Sequence, residues 1–218
     1  MVRQAFKEQI EELLDDLLLM GQMVSHRVDQ SIQALVRQDT KLAEQVIEGD
    51  HDVNAAQHDI DEKCLVLMAT QQPMASDLRT LLAVTNIAAE LERVSDYTVG
   101  IAKLAIRIAG QPFIKPLIDI PRMADESRQM LTGVLQAFAD QDAEAARRVA
   151  ASDAVVDSLY GHVLDDLMAI MTDDPQTIRQ ATYLLWVAHN LERIADRTTN
   201  IAERIVFVVS GEIVTLNG

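Results

Sequence analysis

Two stretches of this chain, one hundred residues apart, nearly repeat each other. Leu91-Glu92-Arg93-Val94-Ser95-Asp96-Tyr97-Thr98-Val99-Gly100-Ile101-Ala102 and Leu191-Glu192-Arg193-Ile194-Ala195-Asp196-Arg197-Thr198-Thr199-Asn200-Ile201-Ala202 are identical at seven of twelve positions. Chance pairing, at roughly one match in twenty positions, would give fewer than one. A weaker echo joins Val46-Ile47-Glu48-Gly49-Asp50 to Val149-Ala150-Ala151-Ser152-Asp153, 103 residues on, with Asn54 opposite Asp157. Arg79 also falls opposite Arg179. The repeat therefore covers whole structural units, and the chain is expected to fold as two copies of one of them.

The unit is helical. Leu13, Leu17, Met20, Val24, Val28, Ile32 and Leu35 step by threes and fours, which predicts one amphipathic helix over 6–37. Asp39-Thr40 offers a capped restart. A second helix is expected over 41–69, with Leu42, Val46, Val53, Ile60, Cys64 and Leu67 on one side, until Gln72-Pro73 breaks it. A third is expected over 74–109, ending at Gly110. Pro112, Pro116 and Pro121 mark a linker, 111–121. Helices follow over 122–139 and 143–171. After Asp174-Pro175, an N-cap followed by proline, a last helix runs over 175–209 and stops near Gly211. The expected fold is all-α: a three-helix bundle over 1–110, the linker, a second three-helix bundle over 122–211, and a tail over 212–218. An aromatic content of only 4% suits helix-on-helix packing.

Charge excludes several functions. Asp and Glu number 34 against 19 Lys and Arg, a net charge of −15. Such a chain repels nucleic-acid phosphates and anionic membrane surfaces, and it is compatible with metal cations or a basic partner. Apolar runs such as Ile205 to Val209 are far short of the roughly 20 residues that span a bilayer, so no membrane insertion is expected. Residues 1–7 lead straight into Glu8, Glu11 and Glu12, which does not read as a signal peptide. The single cysteine, Cys64, lies on an apolar stripe and is expected to be a buried thiol in a reducing cytoplasm.

Acidic residues recur at i, i+4: Glu92 and Asp96, Glu192 and Asp196, Asp153 and Asp157, with Asp50 and Asn54 as the fourth pair. This spacing stacks two side chains on one helix face, where like charges repel by a few tenths of a kcal/mol and a shared cation reverses the sign. At about 100° per residue, Glu92 and Asp96 border the stripe of Val84, Ala88, Leu91, Ser95 and Ala102 rather than the far solvent face. Asp50 and Asn54 border Val46, Val53 and Ile60 in the same way. Two helices of one bundle could then converge three or four oxygens on a cation such as Fe, Zn, Mn or Mg. The plainer alternative is a solvated helix face, with Arg93 or Arg193 neutralising the acids.

Leu91-Glu92-Arg93-Val94-Ser95-Asp96 and Leu191-Glu192-Arg193-Ile194-Ala195-Asp196 resemble the paired Leu-Glu-Arg-Ile-x-Asp motifs of the PhoU family. Gln71-Gln72-Pro73-Met74-Ala75-Ser76-Asp77-Leu78-Arg79 resembles the segment that opens that family's third helix. The resemblance runs from about residue 5 to 210. It implies two three-helix bundles in a cytoplasmic, often dimeric protein of phosphate homeostasis. Such a protein is an accessory regulator of the phosphate ABC transporter and a negative regulator of the phosphate-starvation two-component response. The implied partners are therefore the transporter ATPase and the phosphate sensor histidine kinase. It also implies divalent or trivalent metal ions on Glu92, Asp96, Glu192 and Asp196, with Asp50, Asn54, Asp153 and Asp157 from the preceding helices. The chain departs from the family at Tyr97 and Arg197, where His is frequent, and at Ser95 and Ala195, where Gly is common. Asn54 stands in place of a carboxylate, so the first bundle's site is expected to be the weaker.

Two other functions compete with this one. A helical di-iron enzyme needs two Glu-x-x-His pairs. Only Glu48 and His51 supply one, and the repeat counterparts are Ala151 and Ala154. A plain scaffold would leave the acids to solvent. No glycine-rich phosphate loop is present, and His26, His51, His58, His162 and His189 are scattered. His189 and Asn190, just before the second motif, are placed to support a ligand set from behind.

Overall fold

A computed structural model of the chain describes residues 2–216, with side chains from Phe6 onward. Met1 of the expected first bundle and the final two residues of the expected tail lie outside the described residues. The described chain is helical throughout, joined by turns.

α1 spans Val2–Arg37 and buries Leu13, Leu17, Met20, Val24, Val28 and Leu35 to 1% exposure or less. α2, Thr40–Glu48, starts at Asp39, whose carboxylate accepts from the backbone N–H groups of Lys41 and Leu42, both at 3.1 Å.

The expected second helix is not continuous, and neither is the fifth. Gly49 separates α2 from α3, Asp50–Gln71, and Ser152 separates α6, Ala143–Ala151, from α7, Asp153–Asp173. At both junctions ψ relaxes toward zero (φ −71°, ψ 0° at Gly49; φ −74°, ψ −13° at Ser152). The ladder there switches to i→i+3 bonds, from Asp52 N–H to Gly49 O (3.2 Å) and from Val155 N–H to Ser152 O (3.0 Å). The apolar stripe carries on across both joints, so periodicity alone runs them together.

α3 ends where Gln72 turns left-handed, φ 48°, ahead of Pro73. α4 then spans Ala75–Ile108, and Gly110 takes φ 79°. α5 is Asp119–Ala139, so it starts earlier than expected and holds Pro121 in its first turn, where an N–H has no helical partner to lose. Asp174 caps a short 3-10 turn, Pro175–Thr177, accepting from Gln176 N–H at 3.0 Å. The last helix, α8, begins after that turn and covers Ile178–Ser210, with Gly211 at φ 79° behind it.

The repeat is visible residue by residue. At an offset of 103, the buried positions Met20, Val24, Arg27, Val28 and Leu35 of α1 correspond to Met123, Ser127, Met130, Leu131 and Phe138 of α5, all buried. Asp39 and Asp142 are corresponding N-caps, and the turn residues Gln38 and Gln141 share φ near 51° and 52°.

α4 and α8 lie at the centre, packed along each other. α1, α2 and α3 pack on α4, while α5, α6 and α7 pack on α8; α1 also touches α5. One hydrophobic core runs through both halves. Along α4, Leu81, Val84, Ile87, Leu91, Val94 and Ile101 are fully buried, and Ala181, Leu184, Val187, Leu191, Ile194 and Ile201 are their counterparts on α8. Each fully buried aliphatic side chain contributes about 1.5–3 kcal/mol, so these two helices carry the centre of the core. The free thiol of Cys64 is buried in this core with Sγ 3.8 Å from Leu81 O.

Candidate metal centres

The break at Gly49 places Asp50 in the first turn of α3, against the motif on α4. The hydroxyl of Ser95 donates to Asp50 Oδ1 at 2.7 Å. Ser95 lies between Glu92 and Asp96 on α4, so Asp50 faces both acids. Asn54, one turn along α3, donates from Nδ2 to Asp50 Oδ2 at 3.3 Å. From α1, Arg27 reaches into the same place: Nε donates to Ser95 Oγ at 2.9 Å, and Nη2 lies 3.4 Å from Asp50 Oδ1 while also donating to Val46 O. The Arg27 side chain is only 8% exposed. Burial pulls its pKa down, while Asp50 and Asp52 draw it back up. Burial, followed by the charges of Asp96 and Asp50, raises the pKa of Glu92; burial, followed by Asp50, raises that of Asp96. Arg93 turns away to Glu90 Oε1, 3.1 Å.

The second cluster has the same backbone and different chemistry. Asp153 sits in the first turn of α7, with Asp157 one turn later, facing Glu192 and Asp196 of α8. The Asp153 carboxyl is pushed up to about 6, by burial first and then by Asp157, Asp196 and Glu192. Its Oδ1 is buried with no hydrogen-bond partner. Asp196 is also raised, chiefly by burial. Arg193 bridges the motif: its Nη2 and Nε lie 2.6 and 2.7 Å from Glu192, and its Nη1 lies 3.0 Å from Asp196. His189 Nδ1 stands 3.4 Å from Glu192 Oε2.

All eight sequence-selected residues therefore fall into two clusters, one per repeat: Asp50, Asn54, Glu92 and Asp96, and Asp153, Asp157, Glu192 and Asp196. Among the described residues, no group of three or more His, Cys, Asp or Glu side chains already stands arranged to hold a metal ion. In the second cluster Arg193 props the motif acids and the carboxylates repel one another. The two clusters differ in how well they fit a cation. The second fits: it offers an orphaned buried carboxylate oxygen and four acids. The first does not fit in the same way, because both oxygens of Asp50 already have donors. The sequence reading missed Arg27; a cation in register with Val24 and Val28 was the signal, since a charge on a core stripe demands a buried partner. Glu48 and His51 form no counterpart to a di-iron pair. The His51 ring lies exposed, with Nδ1 2.6 Å from Glu48 O and Nε2 3.0 Å from Asp52.

Fold and site together define a duplicated all-helical protein with one carboxylate cluster at the junction of the second and third helical runs of each repeat. The PhoU domain family model matches residues 17–105 and again 120–205. The chain belongs to the PhoU family. It is 35% identical over 218 residues, the full length of both chains, to a phosphate-specific transport system accessory protein PhoU homolog of Clostridium acetobutylicum. It is 36% identical over 207 residues to the phosphate-specific transport system accessory protein PhoU of Escherichia coli, covering 95% of this chain and 86% of the relative. The crystal structure of the phosphate transport system regulatory protein PhoU from Streptococcus pneumoniae superposes with a TM-score of 0.91 at 31% identity, covering 96% of this chain and 99% of that one. PhoU from Pseudomonas aeruginosa gives 0.91 at 33% identity, with 95% and 100% covered. The family is one of accessory and regulatory proteins, not enzymes. Among the described residues no helix is long and apolar enough to cross a membrane.

Proposed function

We propose that this chain is a metal-binding regulatory accessory protein of phosphate uptake, acting in the cytoplasm as a homodimer. It restrains the phosphate-starvation response by contact with the ATPase of the phosphate ABC transporter and with the phosphate sensor histidine kinase. The observation that carries this reading is the match of both repeats to the PhoU domain, together with full-length relatives that bear the name of phosphate transport accessory proteins. A helical chain of net charge −15 suits an adaptor that works by docking on a basic partner.

The metal part of the reading rests on Asp153, Asp157, Glu192 and Asp196. A hard or intermediate cation such as Fe, Zn, Mn or Mg would neutralise their mutual repulsion and link α7 to α8. Asp153 Oδ1 supplies a free buried acceptor. The Arg193 side chain is 36% exposed, so it can leave the motif acids to solvent and the ion.

The test is a tagged pull-down from phosphate-replete and phosphate-starved cells. Recovery of the transporter ATPase or the sensor kinase in at least one condition is the expected result. Recovery of neither, with the tagged chain folded and expressed, would overturn the regulatory reading. Elemental analysis of the purified chain beside Glu192→Ala and Asp196→Ala tests the metal separately.

A further inference from the structure

Arg27 is a buried cation at a position where the other repeat has Met130, which is 3% exposed. The guanidinium never loses its proton at accessible pH, so it must be paired where it stands. Its bonds run in one direction. Arg27 Nε–H donates to Ser95 Oγ, and the Ser95 hydroxyl in turn donates to Asp50 Oδ1. Nη2 adds charge beside the same oxygen, and Asn54 closes Oδ2. Asp50 is thus neutralised and hydrogen-bonded from three directions by groups belonging to the protein.

Every one of those donors is absent from the second repeat. Arg27 corresponds to Met130, Ser95 to Ala195, and Asn54 to Asp157. A fourth difference completes the set. Gly49 has an ordinary helical φ and needs no glycine for its backbone, but a Cβ there would lie 2.9 Å from Arg27 Nη1. The corresponding residue is Ser152, beside no arginine. The missing Cβ leaves that space to the guanidinium. Four positions on four helical segments or joints differ: one removes a positive charge, two remove hydrogen-bond donors to Asp50, and one concerns the space beside the guanidinium, while the cation the second cluster does have, Arg193, lies on Glu192 and Asp196.

We propose that Arg27 takes the place of the cation in the first repeat, so that this chain has one metal-loading cluster, the second, and one that is internally neutralised. This rests on the metal reading of the second cluster given above. A divalent ion entering beside Asp50 would meet a fixed guanidinium, and Arg27 has no route to solvent comparable to that of Arg193: its side chain is 8% exposed against 36%. Desolvated like charges at close range repel far more strongly than on the surface. The first cluster would then serve as a permanent brace between α1, α3 and α4, while the second responds to metal supply.

The experiment uses the full chain, stripped of metal and dialysed against Mn²⁺, with bound manganese per chain read by elemental analysis and titration calorimetry. The wild type is expected to fill one cluster. Asp153→Asn should abolish binding and Asp50→Asn should leave the stoichiometry unchanged. Exchanging the three donors of the first repeat for their second-repeat counterparts, Arg27→Met with Ser95→Ala and Asn54→Asp, should about double the bound metal. Halving of wild-type binding by Asp50→Asn would overturn the proposal while leaving the metal reading intact. So would a triple variant, folded by circular dichroism, that binds no more than wild type. Should the triple variant not fold, the Asp50→Asn arm decides alone. Absence of manganese from the wild type would sink the metal reading itself, and this proposal with it.

Discussion

Glu90 on α4 and Arg197 on α8 meet across the seam between the repeats, with Oε2 and Nη1 3.5 Å apart. Their side chains are 15% and 26% exposed, and Asn200 Nδ2 approaches the same oxygen at 3.4 Å. Glu90 Oε1 takes Arg93 as well. A half-buried carboxylate with donors from both repeats ties the two halves together in a way that an isolated surface pair would not. A double-mutant cycle with Glu90→Gln and Arg197→Gln, read by urea unfolding, is expected to give a coupling on the order of 1 kcal/mol. A coupling within error of zero would show that the seam is held by apolar packing alone.

The pH dependence of stability should carry the mark of Asp153. Its folded-state pKa of about 6 lies above the ordinary 3.8, so the folded chain binds this proton more tightly than the unfolded chain does. Stability therefore falls as pH rises through that window, and the loss is complete above it. Asp153→Asn removes the penalty. The variant should exceed the metal-free wild type at pH 7.5 by on the order of 1 kcal/mol, discounted for partial exposure, and match it below about pH 4. Urea midpoints across the pH range check this. Under the metal reading, adding Mn²⁺ at pH 7.5 reverses the order, because only the wild type gains binding energy.

Burial pushes the Cys64 thiol up to about 12, with Asp61 adding to the effect. The thiolate is the nucleophile, so native protein should resist alkylation by iodoacetamide at pH 8. The rate should rise to that of a free thiol only as urea unfolds the core. Rapid labelling of the native chain, with its helical circular dichroism intact, would contradict the burial.

At Gly21 an added Cβ would lie 2.4 Å from Leu135 Cδ1 and 3.0 Å from Cδ2, where α1 crosses α5. Alanine is the better helix former by about 1 kcal/mol. The overlap should nonetheless dominate, with Gly21→Ala destabilising by about 1–3 kcal/mol. Pairing it with Leu135→Ala should lower the cost below the sum of the two single changes. Additive effects in thermal or urea melts would place the clash elsewhere.

Much of this architecture could be read from residue order because its signals are local. Asp39, Asp174, Gly110 and Gly211 mark helix ends by chemistry that acts over a few residues. The duplicated motif revealed the two units, and the edge position of Glu92 and Asp96 followed from their angle to Leu91 and Ser95. The joints at Gly49 and Ser152 escaped because Val46 and Val53, or Val149 and Val156, keep the apolar spacing on both sides of each. Partner choice escaped too: the stripes on α4 and α8 announce burial and do not say that they bury each other. Arg27 escaped for a related reason, since a hydrophobic period averages over a single charged position, and the meaning of that charge lies in Ser95 and Asp50, 68 and 23 residues away.

The seam along α4 and α8 also says something about how such a chain can come to exist. A solitary repeat would present the inner stripe of its long central helix to water, and it could hide that stripe only against a twin. Joining two copies through residues 109–118 turns a chance encounter between molecules into an event within one chain, at an effective concentration on the order of millimolar. Within one chain the two copies need not be identical, and Arg27 in one beside Met130 in the other is what that freedom permits.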